Sequence, residues 1–507
     1  MNISIKENSS IRTNKNNVGC KRKWGENQKG KEKKDVTTSS TSKIAKILNY
    51  PEMNSDREIV DKTGYILLAV FTNMMPPNSK KQSLPPNVLG NLPENVIDDI
   101  LLRLPLRDAV RTCILSKNWR YKWCKLPQLK LDQTLWETTN DLIPPTVKIT
   151  DIIYQLLTLH VGHISKFILS IFDLINCPKI DNLIYFLSRN GIQHLVLQFP
   201  IGNPYKLPSS FFTCLQLRHV TLHRCILRTP PVFKGFHRLL SLELSQVTIC
   251  TEFLGRFISR CPLLEHLLLE YVDNANNIEV NAPKLRSFVF TGNLHFLHLK
   301  CVPLLAKVSH ESTASLLKAG KNDFVNFFNS IPALEHLHWN YNSFRFMVTG
   351  PGEVPTRLPS ALNCLKHLYL SEICLEERVE LLCALCLIRS SPNLEELEIK
   401  GPFDLIGKLL APVLWSAVDE IPASFSDVTY THLRAVKIKG VAGAWGEMQL
   451  IKVLLAKSPV LVRMVIEPDV VGDQSLKVLA KITKFQRASP KAEVVYNVDA
   501  YPGYNLA

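Results

Sequence analysis

The sequence predicts an α/β protein in which a short module of three helices precedes a solenoid, or horseshoe, of repeated strands and turns. An apolar-x-x-apolar-x-apolar pattern returns along the chain from Ile192 onward, and a segment with helical apolar periodicity lies before it. The chain has 507 residues, of which 46% are hydrophobic, and this suits more than one folded unit. We expect these units at residues 1–85, 86–132, 133–432 and 433–507.

The first predicted unit is a basic N-terminal tail. Residues 1–61 are rich in Lys, Asn, Ser and Thr without a sustained apolar period, so we expect disorder through this tail and its linker to residue 85. Residues 1–85 contain 16 Lys+Arg and 8 Asp+Glu, a net +8, which leaves +7 of the total +15 for the other residues. Because phosphate binding requires basic residues gathered on one face, this dispersed excess predicts no nucleic-acid partner.

Charge and hydropathy also bear on the location of the protein. A Lys and Arg cluster within residues 21–34 fits either a nuclear-import signal or a solvated tail. We therefore expect the protein in the nucleus, the cytoplasm or both. No apolar run approaches the roughly 20 residues that span a bilayer, so no membrane partner is expected.

The second unit, residues 86–132, is called the helical module here. A first helix is predicted after Pro93 and ends at Pro105, a second begins near Arg107, and Ser116 caps a third. Forty residues bury too little surface to enclose all of its apolar side chains, so part of this set is expected to contact a partner. The candidate partner-binding residues are Leu92, Pro93, Ile97, Ile100, Leu101, Leu104, Pro105, Leu106, Val110, Leu115, Trp119 and Trp123.

The third unit carries twelve copies of the apolar pattern, mostly 21 to 31 residues apart, which is the spacing of leucine-rich repeats. The short spacings of 9 and 11 residues around Leu294 predict tight turns between strands, and the spacing of 39 after Leu394 predicts an insertion. The copies begin at Ile192, Leu217, Leu239, Leu264, Leu285, Leu294, Leu305, Leu334, Leu365, Leu394, Leu433 and Leu461.

Polar residues that alternate with the apolar ones are expected on the concave face of the horseshoe. Five copies have His at the third position, but Ser241 and Ser287 interrupt the row, so we favour a solvent-facing protein surface over zinc coordination. The candidate substrate-binding residues are His194, His219, His223, Glu243, His266, Glu270, His336, Asn340, His367, Tyr369, Lys400 and Lys439.

Motifs for catalysis and cofactors are missing from the sequence. It has no phosphate-binding loop, no zinc-protease motif and no hydrolase nucleophile elbow, so we expect no catalytic residues, no cofactor and no enzyme. Thirteen irregularly spaced cysteines indicate reduced thiols. The Cys-x-x-Cys pair of Cys383 and Cys386 lies in an apolar stretch, so we expect buried structural thiols and no metal site.

The order of these parts resembles the plant F-box/FBD/leucine-rich-repeat proteins. The segment LPENVIDDILLRLPLRDAVRTCILSKNWRYKW is similar to an F-box in its LP start, its LPLRDAVRT centre and its S-x-x-W-R-x-x-W end. The stretch from Leu433 to Tyr496, with SPVLVRMVIEP and KFQRASPKAEVVY, resembles an FBD region. Lys122 departs from the F-box pattern, where many members have an apolar residue, and residues 1–73 are an atypical extension.

The resemblance implies that the F-box binds a Skp-type adaptor, which joins a cullin scaffold in an SCF ubiquitin ligase, while the repeats select a protein substrate. In this family the LP start and the LPLRD turn lie at the adaptor interface, which corresponds to Leu92, Pro93, Pro105 and Leu106. Two alternatives remain open from the residues themselves. One is a small-molecule co-receptor on the same scaffold, and the other is an interaction scaffold that acts without a ligase.

Overall fold

A computed structural model gives the arrangement of most of the chain. It describes residues 92–114, 119, 121–135, 145–172, 180–249, 251–273, 277–292, 296–311, 324–348, 354–402, 428–470 and 472–497. The predicted tail and linker, the candidate residue Leu115 and most of the predicted insertion after Leu394 lie outside these ranges.

The main element is an open sheet of fourteen parallel strands that follow one another in chain order. Neighbouring strands pair without offset in the repeat pattern, so that equivalent positions of successive copies stand side by side. Its strands are β1 Gln128–Leu131, β2 Lys166–Ser170, β3 His194–Gln198, β5 His219–His223, β7 Ser241–Ser245, β9 His266–Glu270, β11 Ser287–Thr291, β13 Lys307–Glu311, β14 His336–Asn340, β15 His367–Ser371, β16 Glu396–Lys400, β17 Ala435–Val441, β18 Arg463–Pro468 and β19 Glu493–Tyr496.

Alternation along each strand decides which side chains enter the core, because successive residues point to opposite faces. In β3, Leu195 and Leu197 are fully buried, while His194, Val196 and Gln198 stay partly exposed. Parallel neighbours require a crossover, and the return segments supply helices or short strands for it. Among the described residues, the α-helices outside the module are α3 Pro145–Leu159, α4 Asp181–Arg189, α5 Thr251–Ser259, α6 Phe324–Asn329, α7 Tyr341–Met347, α8 Arg378–Arg389, α9 Trp445–Lys457 and α10 Asp473–Ile482.

Two small parallel sheets lie in the return segments. One joins β10 Asn277–Asn281 to β12 Phe296–Cys301, and the other joins β4 Tyr205–Lys206, β6 Cys225–Leu227 and β8 Thr248–Ile249. The copy predicted at Leu294 is therefore not a strand of the main sheet. Its residues Phe296, Leu297 and Leu299 lie in β12, inside the return segment between β11 and β13, while Leu294 lies outside the described residues. The connections are short, as predicted, because β12 begins five residues after β11 ends and β13 begins six residues after β12 ends.

The other eleven copies form strands of the main sheet, which has three further strands beyond the twelve copies counted from the sequence. They are β1, β2 and β19. The strand β1 lies inside the range predicted for the helical module, so the sheet begins earlier than expected. At the other end, residues 435–496 continue the same sheet with β17, β18 and β19.

The helical module packs on the first strand of the sheet. It contains helices of Glu94–Arg103 and Leu106–Arg111, here α1 and α2, and two 3-10 turns at Thr112–Ile114 and Lys122–Lys125. The expected continuous third helix through both tryptophans is wrong, because Tyr121 between them has a φ of 68°, which interrupts a right-handed helix.

One apolar core runs through the molecule. The module's buried side chains, including the fully buried Trp119 and Trp123, belong to the same cluster as the inward leucines of the sheet. The helix α2 packs against β1 and so joins the core of the module to the core of the sheet. Within the described part of the chain, no helix has the length and apolarity needed to cross a membrane.

Candidate functional site

The open face of the sheet is the side that carries the first, third and fifth residues of the strands. Eleven of the twelve candidate substrate-binding residues lie on it, in three rows that run across the strands. The first row holds His194, His219, His266, His336 and His367, the second holds Glu243 and Tyr369, and the third holds His223, Glu270, Lys400 and Lys439.

The twelfth candidate, Asn340, is only 5% exposed, and the prediction that it faces a substrate is wrong. It ends β14 and caps the helix α7 that follows at once. Its Oδ1 accepts hydrogen bonds from the backbone N–H of Ser343 at 3.1 Å and from the Ser343 hydroxyl at 2.5 Å. A helix that starts directly after the strand turns this position inward.

Histidines of the first row form stacked pairs on neighbouring strands. The rings of His194 and His219 are 4.2 Å apart with an interplanar angle of 16°, and those of His336 and His367 are 4.3 Å apart at 5°. Parallel strands about 4.8 Å apart bring equivalent side chains to this separation. Burial, followed by the neighbouring imidazole, lowers the pKa of His194 and of His336, which favours neutral rings.

His338 is a further open-face residue that the candidate set lacked. Its Nδ1 lies 2.9 Å from the Ser309 hydroxyl and its Nε2 lies 3.0 Å from the Ser371 hydroxyl, while its ring stacks on Tyr369 at 4.4 Å and 19°. Burial lowers the pKa of His338, against the opposing influence of Glu311 and Glu398. His338 is the fifth residue of the copy that begins at Leu334, between the apolar fourth and sixth residues. This alternation could have identified it as an open-face residue from the sequence.

Ion pairs connect the strands at the C-terminal end of the open face. Lys439 contacts Glu398 at 2.6 Å, and Lys437 contacts Glu467 at 2.8 Å. The hydrogen bond that Lys439 donates to Glu398 raises the pKa of Lys439 and so favours its charged form. Charges of opposite sign are thus already matched between neighbouring repeats.

A cavity of about 790 Å³ lies on the open face over β11 to β19. The stacked rings of β14 and β15 stand in it, and the small side chain of Ala435 lies between Glu396 and Arg463 in the same row. Val289 and Val465 add apolar surface to its lining. The cavity combines aromatic, apolar and paired ionic groups, as protein-binding surfaces do.

The candidate residues of the helical module fall into two groups, a buried core and an accessible rim. Pro93 and Pro105 are exposed and Leu92 is partly exposed, whereas the others that the structure describes are buried. The buried members are Ile97, Ile100, Leu101, Leu104, Leu106, Val110, Trp119 and Trp123. These eight pack inside the chain itself, and β1 supplies part of the apolar contact that the module alone lacks.

Two positions of the module, the exposed Leu102 and the partly buried Lys122, were missed or misjudged from sequence. Leu102 is 41% exposed next to the buried Leu101, a position that the helical apolar stripe does not include. Lys122 forms an ion pair with Glu94 at the start of α1, and this hydrogen bond lowers the pKa of Glu94. The basic side chain at this position therefore ties the last turn of the module to its first helix.

The cysteine pair lies within α8. Cys383 and Cys386 are both buried, and burial raises the pKa of Cys386 to about 11 and that of Cys383 further. Neutral thiols are poor nucleophiles and poor metal ligands. Across the residues that the structure describes, no group of three or more His, Cys, Asp or Glu side chains is placed to hold a metal ion.

Comparison with known proteins gives two matching families. The F-box domain matches residues 89–131, and the repeats described as "FBD-associated F-box protein At5g56370, LRR repeats" match residues 180–399. The F-box/FBD/LRR-repeat protein At1g13570 of Arabidopsis thaliana is 32% identical over 424 residues, which cover 82% of this chain and 99% of that protein. The F-box/LRR-repeat protein At4g14103 of the same plant is 26% identical over 363 residues, which cover 62% of this chain and 92% of that protein.

Proposed function

Because the chain belongs to the family of F-box/FBD/LRR-repeat proteins, we propose that it is a substrate-recognition adaptor of an SCF-type ubiquitin ligase. F-box domains generally bind Skp-type adaptors, and F-box proteins are generally the substrate adaptors of SCF complexes. In the proposed complex, the cullin scaffold is recruited through the Skp-type adaptor. Proteins of these families are adaptors or interaction proteins, and the transfer of ubiquitin belongs to the other subunits.

The rim of the helical module is the proposed docking surface for the Skp-type adaptor. Leu92, Pro93 and Pro105 are its accessible members, and they stand at the starts of α1 and α2. Buried members such as Ile100 support the rim from below and are not contacts themselves. Apolar residues that stay accessible in the free chain are the ones able to bury surface on association.

The repeats are proposed to form a curved solenoid whose open face is concave and binds a protein substrate. The single observation that carries the proposal is the continuity of the core from the module into the sheet. It fixes the rim and the open face in one unit, so a substrate bound on the open face is held at a defined position relative to the ligase. A flexible connection between the two surfaces would lack this property.

The adaptor assignment is tested by Leu92→Ala combined with Pro93→Ala. Loss of an anchor at an interface typically costs about 2–4 kcal/mol, so adaptor binding should weaken by roughly 30- to 1,000-fold. Lys125→Ala, an exposed change in the same module, is the matched control and should retain the adaptor. A pulldown that recovers as much adaptor with the double variant as with the control contradicts the proposal.

A small-molecule co-receptor is the second candidate, since a cavity of about 790 Å³ falls in the size range of ligand sites. Substrate capture that requires an added small-molecule fraction would favour it. A scaffold independent of a ligase would instead bind substrate without a cullin in the same pulldown. The proposed location is the nucleus, the cytoplasm or both, and deletion of residues 1–73 tests whether the basic cluster directs import.

A further inference from the structure

Four aromatic rings on two adjacent strands form a compact group on the open face, called the ring block here: His336, His338, His367 and Tyr369. The strands β14 and β15 pair in register, which sets His336 beside His367 and His338 beside Tyr369. Both neighbours stack, with ring centroids 4.3 Å and 4.4 Å apart and interplanar angles of 5° and 19°. The block stands in the cavity described above.

The ring block is held in one conformation before any partner arrives. Both nitrogens of His338 have hydroxyl partners, Ser309 at 2.9 Å and Ser371 at 3.0 Å, and the Nδ1 of His367 lies 3.0 Å from Glu396. Each ring is also fixed by its stacked neighbour. Because ordering a free side chain on binding costs conformational entropy, groups that are already fixed make better anchors than mobile surface chains.

The charges around the block cancel. The charged residues that line the cavity are three basic and three acidic ones, Lys307, Lys437, Arg463, Glu396, Glu398 and Glu467, for a net charge of zero. Lys437 and Glu467 pair with each other, and Glu398 pairs with Lys439. A highly charged partner would have to break these pairs or approach a charge of its own sign, and both are unfavourable.

The space next to the rings suits an additional ring. Ala435 stands in register with Glu396 on one side and Arg463 on the other, so its short side chain leaves a gap between two long ones. Val289 and Val465 supply apolar lining. Aromatic side chains prefer edge-to-face or offset contacts with other rings, and their area makes them frequent anchors at interfaces.

We propose that the ring block is the anchoring point for the substrate, and that it takes a protein segment without net charge that inserts an aromatic side chain beside Ala435. This inference rests on the proposed function and specifies the substrate for the same open face. Phosphate-rich ligands are disfavoured because the lining carries no net positive charge. Burial lowers the pKa of His336 and of His338, which favours the neutral rings that this contact requires.

A phage-displayed library of random peptides, selected on the full-length chain at pH 7.5, tests this inference. The recovered peptides should be enriched in Tyr, Phe or Trp and should have a mean net charge near zero. Their binding should fall about 30-fold or more in the His338→Ala with Tyr369→Ala variant, as expected for loss of a central anchor. The matched control is Tyr154→Ala with Tyr185→Ala, which removes two exposed aromatic rings from the helices α3 and α4, away from the open face, and should leave binding unchanged.

A second variant keeps the test decisive if removal of the rings disturbs the fold. Ala435→Trp fills the proposed gap without touching the ring block, and it should abolish peptide binding while circular dichroism stays that of the parent chain. Peptides rich in one sign of charge, peptides that bind both variants as well as the parent, or a selection without enrichment would each overturn the inference. Preferential binding of a single-stranded oligonucleotide would overturn it as well.

Failure of this inference is distinguishable from failure of the proposed function. The peptide selection requires no adaptor, and the ring block lies on β14 and β15, far along the sheet from the module on β1. Both ring-block variants should therefore still bind the Skp-type adaptor. Loss of peptides with the adaptor retained supports both proposals, whereas an adaptor that never binds the parent chain contradicts the proposed function alone.

Discussion

The helical module and the repeat sheet enclose apolar residues in different ways. In the sheet, each strand contributes two inward side chains, such as Leu267 and Leu269, and the same arrangement recurs in the next strand. In the module, the buried residues come from short pieces that differ in conformation, and one side of their core is closed by β1. A repeat is thus supported by two like neighbours, whereas the module packs against unlike elements at one end of the sheet.

This difference shows why the two binding surfaces have different origins. The open face consists of side chains that alternation leaves outside, so polar groups accumulate there without affecting the core. The rim of the module consists of residues at helix starts, such as Pro93 and Pro105, which lie next to core residues. Substitutions on the open face should therefore alter binding alone, while those in the module affect stability or binding according to their depth.

The largest expected effect comes from the core of the module. Ile100 is fully buried, and Ile100→Ala should reduce the free energy of unfolding by about 2–5 kcal/mol, since it leaves a cavity. Leu102→Ala, two residues away and 41% exposed, should cost about 0.5 kcal/mol or less. Denaturant unfolding of the isolated chain measures both. Equal, small effects would mean that the module's apolar residues become buried only on an adaptor, which would break the comparison.

An intermediate effect is expected from acid, through a histidine on the inward side of the sheet. His310 is 1% exposed, and its ring lies 5.0 Å from that of Trp339 and 5.5 Å from that of Phe290. Burial lowers its pKa from an ordinary 6.5 to about 3. The unfolded chain therefore takes up a proton below pH 6.5 that the folded chain refuses, so stability is full above pH 6.5 and falls toward pH 3.

His310→Leu should remove this part of the acid sensitivity. With about 1.4 kcal/mol per pH unit for one proton, the parent chain should lose about 2 kcal/mol more than the variant between pH 7.5 and pH 5. Denaturant unfolding at the two pH values gives the difference. Parallel pH profiles for the two proteins would show that His310 is not kept neutral by the fold.

The strand alternation and the helical periodicity differ in how much they predicted. A two-residue period assigns a face to every position, and this placed eleven candidate residues on the open face. A helical stripe indicates that Ile100 and Leu101 are buried, but it does not indicate which residues cover them. Only the structure shows that the module's core is closed partly by its own helices and partly by β1. The strands β1 and β2 also carry the pattern, as Leu126-x-x-Leu129-x-Leu131 and Ile164-x-x-Phe167-x-Leu169, but they lie before the first copy that was counted.

Exceptions to alternation arose where the chain leaves the strand. Asn340 follows the rule in sequence, yet the helix α7 begins at the next residue and draws its side chain inward as a cap. The gap beside Ala435 and the hydroxyl partners of His338 likewise depend on which residues become neighbours across strands. Such pairings connect positions 29 to 39 residues apart and depend on the lengths of the return segments, which the pattern of a single copy does not contain.

The smallest expected effect concerns this exception. Asn340→Ala should reduce the free energy of unfolding by about 1–2 kcal/mol, because it removes the oxygen that accepts from the Ser343 N–H at 3.1 Å at the start of α7. Gln198→Ala is the control at the equivalent last position of β3, where no helix follows, and it should cost about 0.5 kcal/mol or less. Thermal unfolding of both variants measures the difference. If Asn340→Ala leaves stability unchanged and instead weakens peptide binding, Asn340 acts on the open face, and the alternation of the sheet extends one residue further than the structure places it.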